Sequence, residues 1–341
     1  MLGSGLQFIA YTSLFKNDAL GKEVVLQTTS GKIPVLVHPA LKKEKGLIIT
    51  FTGFSVHGFK DKRVAAMNNA YAKMGYTAVT PQINTIDALQ IHPNAIDEVK
   101  NAIFHIVASP ILNPKKHKPA VFAPSFTAGI AALAVAEMPP ESILSLCLLG
   151  TYTDFESTIQ FALRNPNQTD DYGMHILLKN FLPYDIGKQS DLEDIIQAAL
   201  EDNGLKRTEP MLPNTLKKAN VNTQKLYHTI KNDAVLREEM VLRAWKKIPD
   251  FAQFKNRLDL AQHAHKITCV VSIIHGKDDD VIPASQSMLL YDILKAHKQD
   301  VRLEVSNLLS HGDPKFGIKI LAEVFNLAKA FAYFLPNHSK K

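Results

Sequence analysis

Pro119-Ala120-Val121-Phe122-Ala123-Pro124-Ser125-Phe126-Thr127-Ala128-Gly129 passes from a short apolar run into small residues that continue through Ala131, Ala132, Ala134 and Ala136. The run suits a strand buried on both faces. The small residues predict a helix over 126–137 that lies close against a sheet. Ser125 stands where one becomes the other. A sharp turn there exposes its hydroxyl at a helix N-terminus, where backbone N–H groups can stabilise a developing negative charge. Serine is also a favoured helix cap, so this stretch alone carries two readings.

Working outward, β-rich runs at 24–29 and 33–37 flank Ser30-Gly31-Lys32 and read as a hairpin. Continuous apolar runs at 46–51, 76–80, 143–149 and 267–274, with a last short one at 301–305, read as strands. Val64, Met67, Tyr71 and Met74 recur at helical spacing, as do Ile96, Val99, Ile103 and Ile106. An amphipathic helix over 315–334 closes the chain. Strands alternating with helices predict βαβ units and a mainly parallel sheet, an α/β fold.

The alternation stops at 154–265, where the signals are helical. Ser190 and Glu193 read as a capping box ahead of Ile195, Ile196 and Leu200. Val235, Leu236, Met240, Leu242 and Trp245 mark a further helix. The chain therefore divides into a core, 1–153 with 266–341, and a helical insertion, 154–265.

The chain has 341 residues, 46% hydrophobic and 21% charged, the balance of a globular protein and not of a disordered chain or coiled coil. Two cysteines, Cys147 and Cys269, exclude a disulfide scaffold, and both fall in apolar runs that predict packing. The apolar start of the chain lacks a preceding basic residue and a small-residue cleavage site, so no cleaved signal is expected. No run approaches the ~20 apolar residues of a membrane span. A cytoplasmic location follows as the expectation, with signal-independent export left open. The formal charge of +6 collects in core loops and the tail, at Lys42, Lys43, Lys45, Lys115, Lys116, Lys118, Lys340 and Lys341. It reads as solubilising surface, with no nucleic-acid partner. The insertion is acidic in its first half and basic in its second.

Two further polar pieces follow strands. His275-Gly276-Lys277-Asp278-Asp279-Asp280-Val281-Ile282-Pro283 comes directly after an apolar run, and Ser310-His311-Gly312-Asp313 lies after the last one. Each alone reads as an ordinary turn. Their order is the informative part: serine, then aspartate, then histidine, at the ends of successive strands, is one known triad order. Serine is a poor nucleophile until a histidine takes its proton, and a carboxylate fixes that histidine's tautomer.

Over nearly its whole length the sequence resembles the α/β-hydrolase superfamily. Ala123-Pro124-Ser125-Phe126-Thr127 is similar to that family's nucleophile turn, His275-Gly276-x-x-Asp279-x-x-Ile282-Pro283 to its acid motif, and His311-Gly312 to its histidine loop. Thr52-Gly53-Phe54 looks like its oxyanion loop. The resemblance implies Ser125 as nucleophile, Asp279 as acid and His311 as base. It implies the N–H groups of Phe54 and Phe126 as the oxyanion hole, Gly53 and Ser55 as pocket residues, and 154–265 as a lid inserted after strand 6. The implied activity is a serine hydrolase acting on a carboxylic ester, thioester or amide, in the carboxylesterase, lipase-like or small-amide class. No cofactor and no metal are expected.

The sequence departs from the family's Gly-x-Ser-x-Gly at both glycines. Thr127, β-branched, requires the turn to relax, and it motivates an alternative: a catalytically inactive ligand-binding protein on the same scaffold. Asp154 is the alternative acid. His57 shares the Gly53–Gly58 loop with Ser55. His263 and His265, two apart, do not share a helix face.

Overall fold

The apolar runs assemble into one sheet. The computed structural model describes residues 2–15, 17–28, 31–164, 171–309 and 318–335. Within them the chain runs α1 (Leu2–Ser13), β1 (Lys22–Thr28), β2 (Gly31–His38), β3 (Gly46–Thr50), α2 (Lys62–Met74), β4 (Tyr76–Pro81), α3 (Asn84–Asp87), α4 (Asn94–Ala108), β5 (Ala120–Pro124), α5 (Phe126–Ala136) and β6 (Ser145–Leu149). Eight helices follow: α6 (Phe155–Arg164), α7 (Tyr172–Ile186), α8 (Ser190–Leu205), α9 (Leu212–Lys218), α10 (Val221–Asn232), α11 (Ala234–Lys247), α12 (Phe251–Leu258) and α13 (Leu260–His263). The chain then returns to the sheet with β7 (Val270–Gly276), α14 (Ala284–Ala296), β8 (Val301–Ser306) and α15 (Ile318–Phe334).

The strand order is β1-β2-β4-β3-β5-β6-β7-β8. The first two pairings are antiparallel and the rest parallel. Successive side chains of a strand point to opposite faces. Ile48, Ala78, Phe122, Cys147 and Ile274 therefore meet α1, α2 and α15. Leu47, Ile49, Val79, Val121, Leu148 and Ile273 meet α4, α5 and α14. Both faces are covered, which is why these strands read as unbroken apolar runs.

The apolar start of the chain is helix α1, an element the sequence reading left unassigned. Phe8 stacks on Tyr71 at 4.7 Å and lies 4.5 Å from Phe331. Gly5 makes this crossing close: a Cβ there would stand 1.7 Å from the Ala328 carbonyl oxygen, whereas one at Gly3 would meet nothing within 4 Å. Gly5→Ala is expected to lower stability by about 2 kcal/mol in urea unfolding, through overpacking against backbone. Gly3→Ala is expected to raise it by about 0.5–1 kcal/mol through helix propensity. Equal effects at both positions would contradict the close crossing.

The expected capping box at Ser190 is not formed. Helix α8 begins one residue earlier than that reading needs, with Gln189 at the N-cap and no side-chain cap bond. Ser190 thus occupies the first helical turn. The charge asymmetry of 154–265 has a structural counterpart. Asp185 pairs with Arg243 and Lys247 at 2.8 and 3.0 Å, Asp171 with Lys231 at 2.6 Å, and Glu156 with Lys255. The acidic half thus folds back on the basic half. Exposed pairs of this kind add little stability each, so their main effect is to select one arrangement of the helices. No described helix is long and apolar enough to cross a membrane.

Candidate active site

Ser125 follows β5 and caps α5 with φ 58° and ψ −144°. A non-glycine residue at positive φ stores strain, on the order of 1–3 kcal/mol. The turn is held from behind by the Ser125 N–H, which donates to the Leu149 carbonyl at 2.6 Å. The side chain is exposed and makes no capping hydrogen bond. The capping explanation of this serine therefore fails, and its hydroxyl is presented to the surroundings.

The neighbours of the turn explain how it closes without the two glycines. Ala123 and Thr127 are completely buried. Thr127 fits with its backbone in α5, and among the described residues its Oγ1 has no hydrogen-bond partner. The positive φ at Ser125 persists beside it. Gly129 serves close packing: a Cβ there would lie 2.2 Å from the Tyr152 ring. Tyr152 in turn stacks on Phe126, ring centroids 4.5 Å apart.

Ser125 borders a cavity of about 490 Å³, whose lining also includes Gly53, Phe54, Ser55, Phe126 and Asp279. The structure thus brings together six of the residues singled out in the sequence. They come from the C-terminal ends of β3, β5 and β7, where open α/β sheets form their crevices. Among the described residues, neither the Phe54 nor the Phe126 N–H donates to an acceptor. Leu309, after β8, also borders the cavity. His311 lies outside the described residues.

Asp279 is separated from its two neighbours by position. Its Oδ1 accepts from the N–H groups of Val281 and Ile282, each at 3.0 Å. Asp278 and Asp280 do not border the cavity. His275 holds this loop from below. It is fully buried, with Nε2 2.9 Å from the Ile282 carbonyl and Nδ1 2.6 Å from the Ser287 hydroxyl. Burial pushes its imidazole below the usual histidine range. A neutral ring donating from Nε2 and accepting at Nδ1 satisfies both contacts.

Ser55 is tied into the loop after β3. Its hydroxyl accepts from the His57 N–H at 3.2 Å. Burial works to raise the Asp61 carboxyl, but Arg63 outweighs it and holds the group below the usual carboxylate range. Asp61 also caps α2 through the Arg63 N–H at 2.8 Å. His57 is exposed and outside the cavity lining. Asp154, the alternative acid, accepts from the Ser157 N–H at 2.7 Å in the first turn of α6 and does not border the cavity.

The rest of this loop leans on Asp87 of α3: a Cβ at Gly58 would stand 2.8 Å from its Oδ2. Burial pushes its pKa up to about 6, with the Glu98 charge adding to the effect. A carboxyl with a raised folded-state pKa stabilises the fold below its unfolded value, and that contribution is lost as pH rises through 6. Asp87→Asn removes the titration. Urea unfolding is expected to show the variant gaining on the parent by on the order of 2 kcal/mol between pH 4 and pH 8. A difference independent of pH would contradict this.

The cavity walls include residues that the sequence did not point to as part of a site. Val64 and Met67 come from α2, Ile159 and Ala162 from α6, Ile176 and Leu177 from α7. Asn203, Gly204 and Lys206 come from the end of α8. Helical periodicity marks such residues as buried but does not say against what. Cys147 and Cys269 are buried, and burial raises both thiols, Cys269 to about 12. His263 contacts the Asn256 carbonyl at 3.0 Å, and His265 lies against His297. Among the described residues no group of three or more His, Cys, Asp or Glu is placed to hold a metal ion.

No protein-family model matches the sequence, and no curated protein matches it. Solved structures do match the fold. One is a puromycin-hydrolysing peptidase of Mycobacterium tuberculosis, 11% identical with a TM-score of 0.54, over 92% of this chain and 38% of that one. Another is dipeptidyl peptidase 4 of Porphyromonas gingivalis, 9% identical with a TM-score of 0.51, over 91% of this chain and 35% of that one. A third is a butyrate-bound thermophilic esterase of Thermogutta terrifontis, 12% identical with a TM-score of 0.50, over 94% and 96% of the two chains. The chain spans well under half the length of those peptidases and nearly all of the esterase. At such identities the likeness is one of fold.

Proposed function

We propose that this chain, which has the α/β-hydrolase fold, is a serine hydrolase that cleaves a carboxylic ester through an acyl-enzyme on Ser125. The observation that carries the reading is the exposed Ser125 hydroxyl, held in a strained turn at the wall of a cavity it shares with Asp279. A structural serine has no need of that strain, whereas a nucleophile aimed away from its own helix does.

In this reading the Ser125 Oγ attacks the acyl carbonyl while His311, assigned from the sequence, takes the hydroxyl proton. Asp279 orients His311 and offsets its charge. The N–H groups of Phe54 and Phe126 receive the oxyanion, supported by the N-terminus of α5. His311 returns the proton to the leaving alcohol. Water, deprotonated by His311, then attacks the acyl-enzyme, releasing the acid and restoring Ser125. Gly53 lets the reacting carbonyl approach: even a Cβ there would stand 3.4 Å from the Ser125 Cβ. Ile159, Ile176 and Leu177 offer an apolar wall to the acyl group, and the helices from α6 to α13 act as its lid.

A fluorophosphonate probe tests the reading. Stoichiometric labelling of the parent at Ser125, absent in Ser125→Ala, is the expected result. A folded parent that takes no label would instead support the inactive ligand-binding reading. A chain-length panel of esters, run beside thioester and amide analogues, identifies the preferred acyl group and bond.

A further inference from the structure

The lysines of the core are scattered in sequence but not in space. Parallel strands β3, β4 and β5 lie side by side, and the loops that enter them share the sheet edge opposite Ser125. Lys42, Lys43 and Lys45 precede β3, Lys73 precedes β4, and Lys115, Lys116 and Lys118 precede β5. The contacts hold these loops together. The Leu41 N–H donates to Ala72 at 2.9 Å and the Lys45 N–H to Gly75 at 2.7 Å. Glu44 pairs with Lys115 at 2.8 Å and accepts from the Thr77 hydroxyl at 2.8 Å. The end of α1 joins the same edge, because Lys73 Nζ donates to the Phe15 carbonyl at 3.0 Å.

This edge is also apolar. Leu14 is 79% exposed, Phe15 61%, Leu41 66% and Ile111 78%. Each large exposed side chain alone needs no explanation. Here the edge carries four of them among seven lysines, six of which are exposed. The acids that answer these lysines are Glu44, 15% exposed, and Glu141, which pairs with Lys118. Among the described residues, Lys42, Lys43 and Lys116 pair with no carboxylate.

We propose that this edge docks the protein peripherally on an anionic lipid surface. Lysines near such a surface supply electrostatic attraction, and aliphatic or aromatic side chains between them enter the headgroup boundary. Nucleic acid fits less well: the edge has no arginine for bidentate contacts, and its protruding Leu14, Leu41 and Ile111 are aliphatic. Five residues of β5, at about 3.3 Å each, separate the edge from Ser125. The cavity therefore opens away from the docked face, and docking leaves it accessible.

The test is vesicle co-sedimentation of the full chain, with phosphatidylcholine vesicles and with vesicles containing 30% phosphatidylserine. The expected result is binding to the anionic vesicles alone, weakening as salt rises. Lys42→Gln/Lys43→Gln/Lys116→Gln is expected to weaken it about a hundredfold, at about fivefold per lysine. Leu41→Ser/Ile111→Ser is expected to weaken it at unchanged charge. Unaltered thermal unfolding and Ser125 labelling show that each variant is folded. The proposal is overturned if the parent ignores anionic vesicles, if either variant binds like the parent, or if duplex DNA binds more tightly than the vesicles at equal salt.

Discussion

Replacing Ser125 with alanine is expected to lower kcat for an activated ester by about 10⁴- to 10⁶-fold, the scale on which a triad nucleophile is lost. KM should change little, since the apolar cavity wall remains. A residual rate of a tenth or more would remove Ser125 from the chemistry. Ser125→Gly separates strain from reactivity. Both variants lack the hydroxyl, but glycine adopts φ 58° without the Cβ penalty. The glycine variant should therefore be more stable than the alanine variant by about 1–2 kcal/mol in urea unfolding. Equal stabilities would mean that the turn is unstrained.

The second large effect is expected at Gly129, a position that touches no substrate. An alanine Cβ would sit 2.2 Å from the Tyr152 ring, and that ring stacks on Phe126 at 4.5 Å. Tyr152 is completely buried, so Gly129→Ala should cost about 3 kcal/mol through overpacking. Because Phe126 carries one proposed oxyanion N–H, the variant that remains folded should also lose kcat more than KM. Tyr152→Phe is the matched control. The Tyr152 hydroxyl is buried, without a partner among the described residues, so losing it should leave stability and rate near the parent's. Parent-like stability in Gly129→Ala would show that the ring can move.

Gly129 also illustrates where sequence reading stops. In the sequence it is a glycine close behind a turn already short of glycine, and it reads as slack for Thr127. In the structure it is the seat of an aromatic ring brought in from the segment after β6. The need for a missing Cβ arises from a residue 23 positions away. Thr127 shows the converse. The turn was expected to relax around a β-branched residue, yet the buried side chain fits and Ser125 keeps its positive φ.

Local chemistry made much of this protein legible. Continuous apolar runs mark strands covered on both faces, because such strands have no polar side to show. The step from Phe122 to small residues past Ser125 marks a strand-to-helix turn, because only small side chains let a helix lie that close. The choice among three adjacent carboxylates came instead from the resemblance to a family motif, which implied Asp279, the one that borders the cavity. Helix α1 is not marked in the sequence because one of its helix-weakening glycines, Gly5, is there for a crossing with α15, more than 300 residues away.

What the sequence determined by itself was the mainly parallel α/β sheet with helices on its faces, since this follows from short-range patterning. Only the tertiary structure decided which surfaces those patterns build. It made Ile176 and Leu177 a cavity wall and seated the acidic half of the insertion on its basic half. It gathered lysines from three loops onto one edge. The physical reason is shared: a side chain's partners are set by which elements pack together, and that packing is not written in the spacing of neighbouring residues.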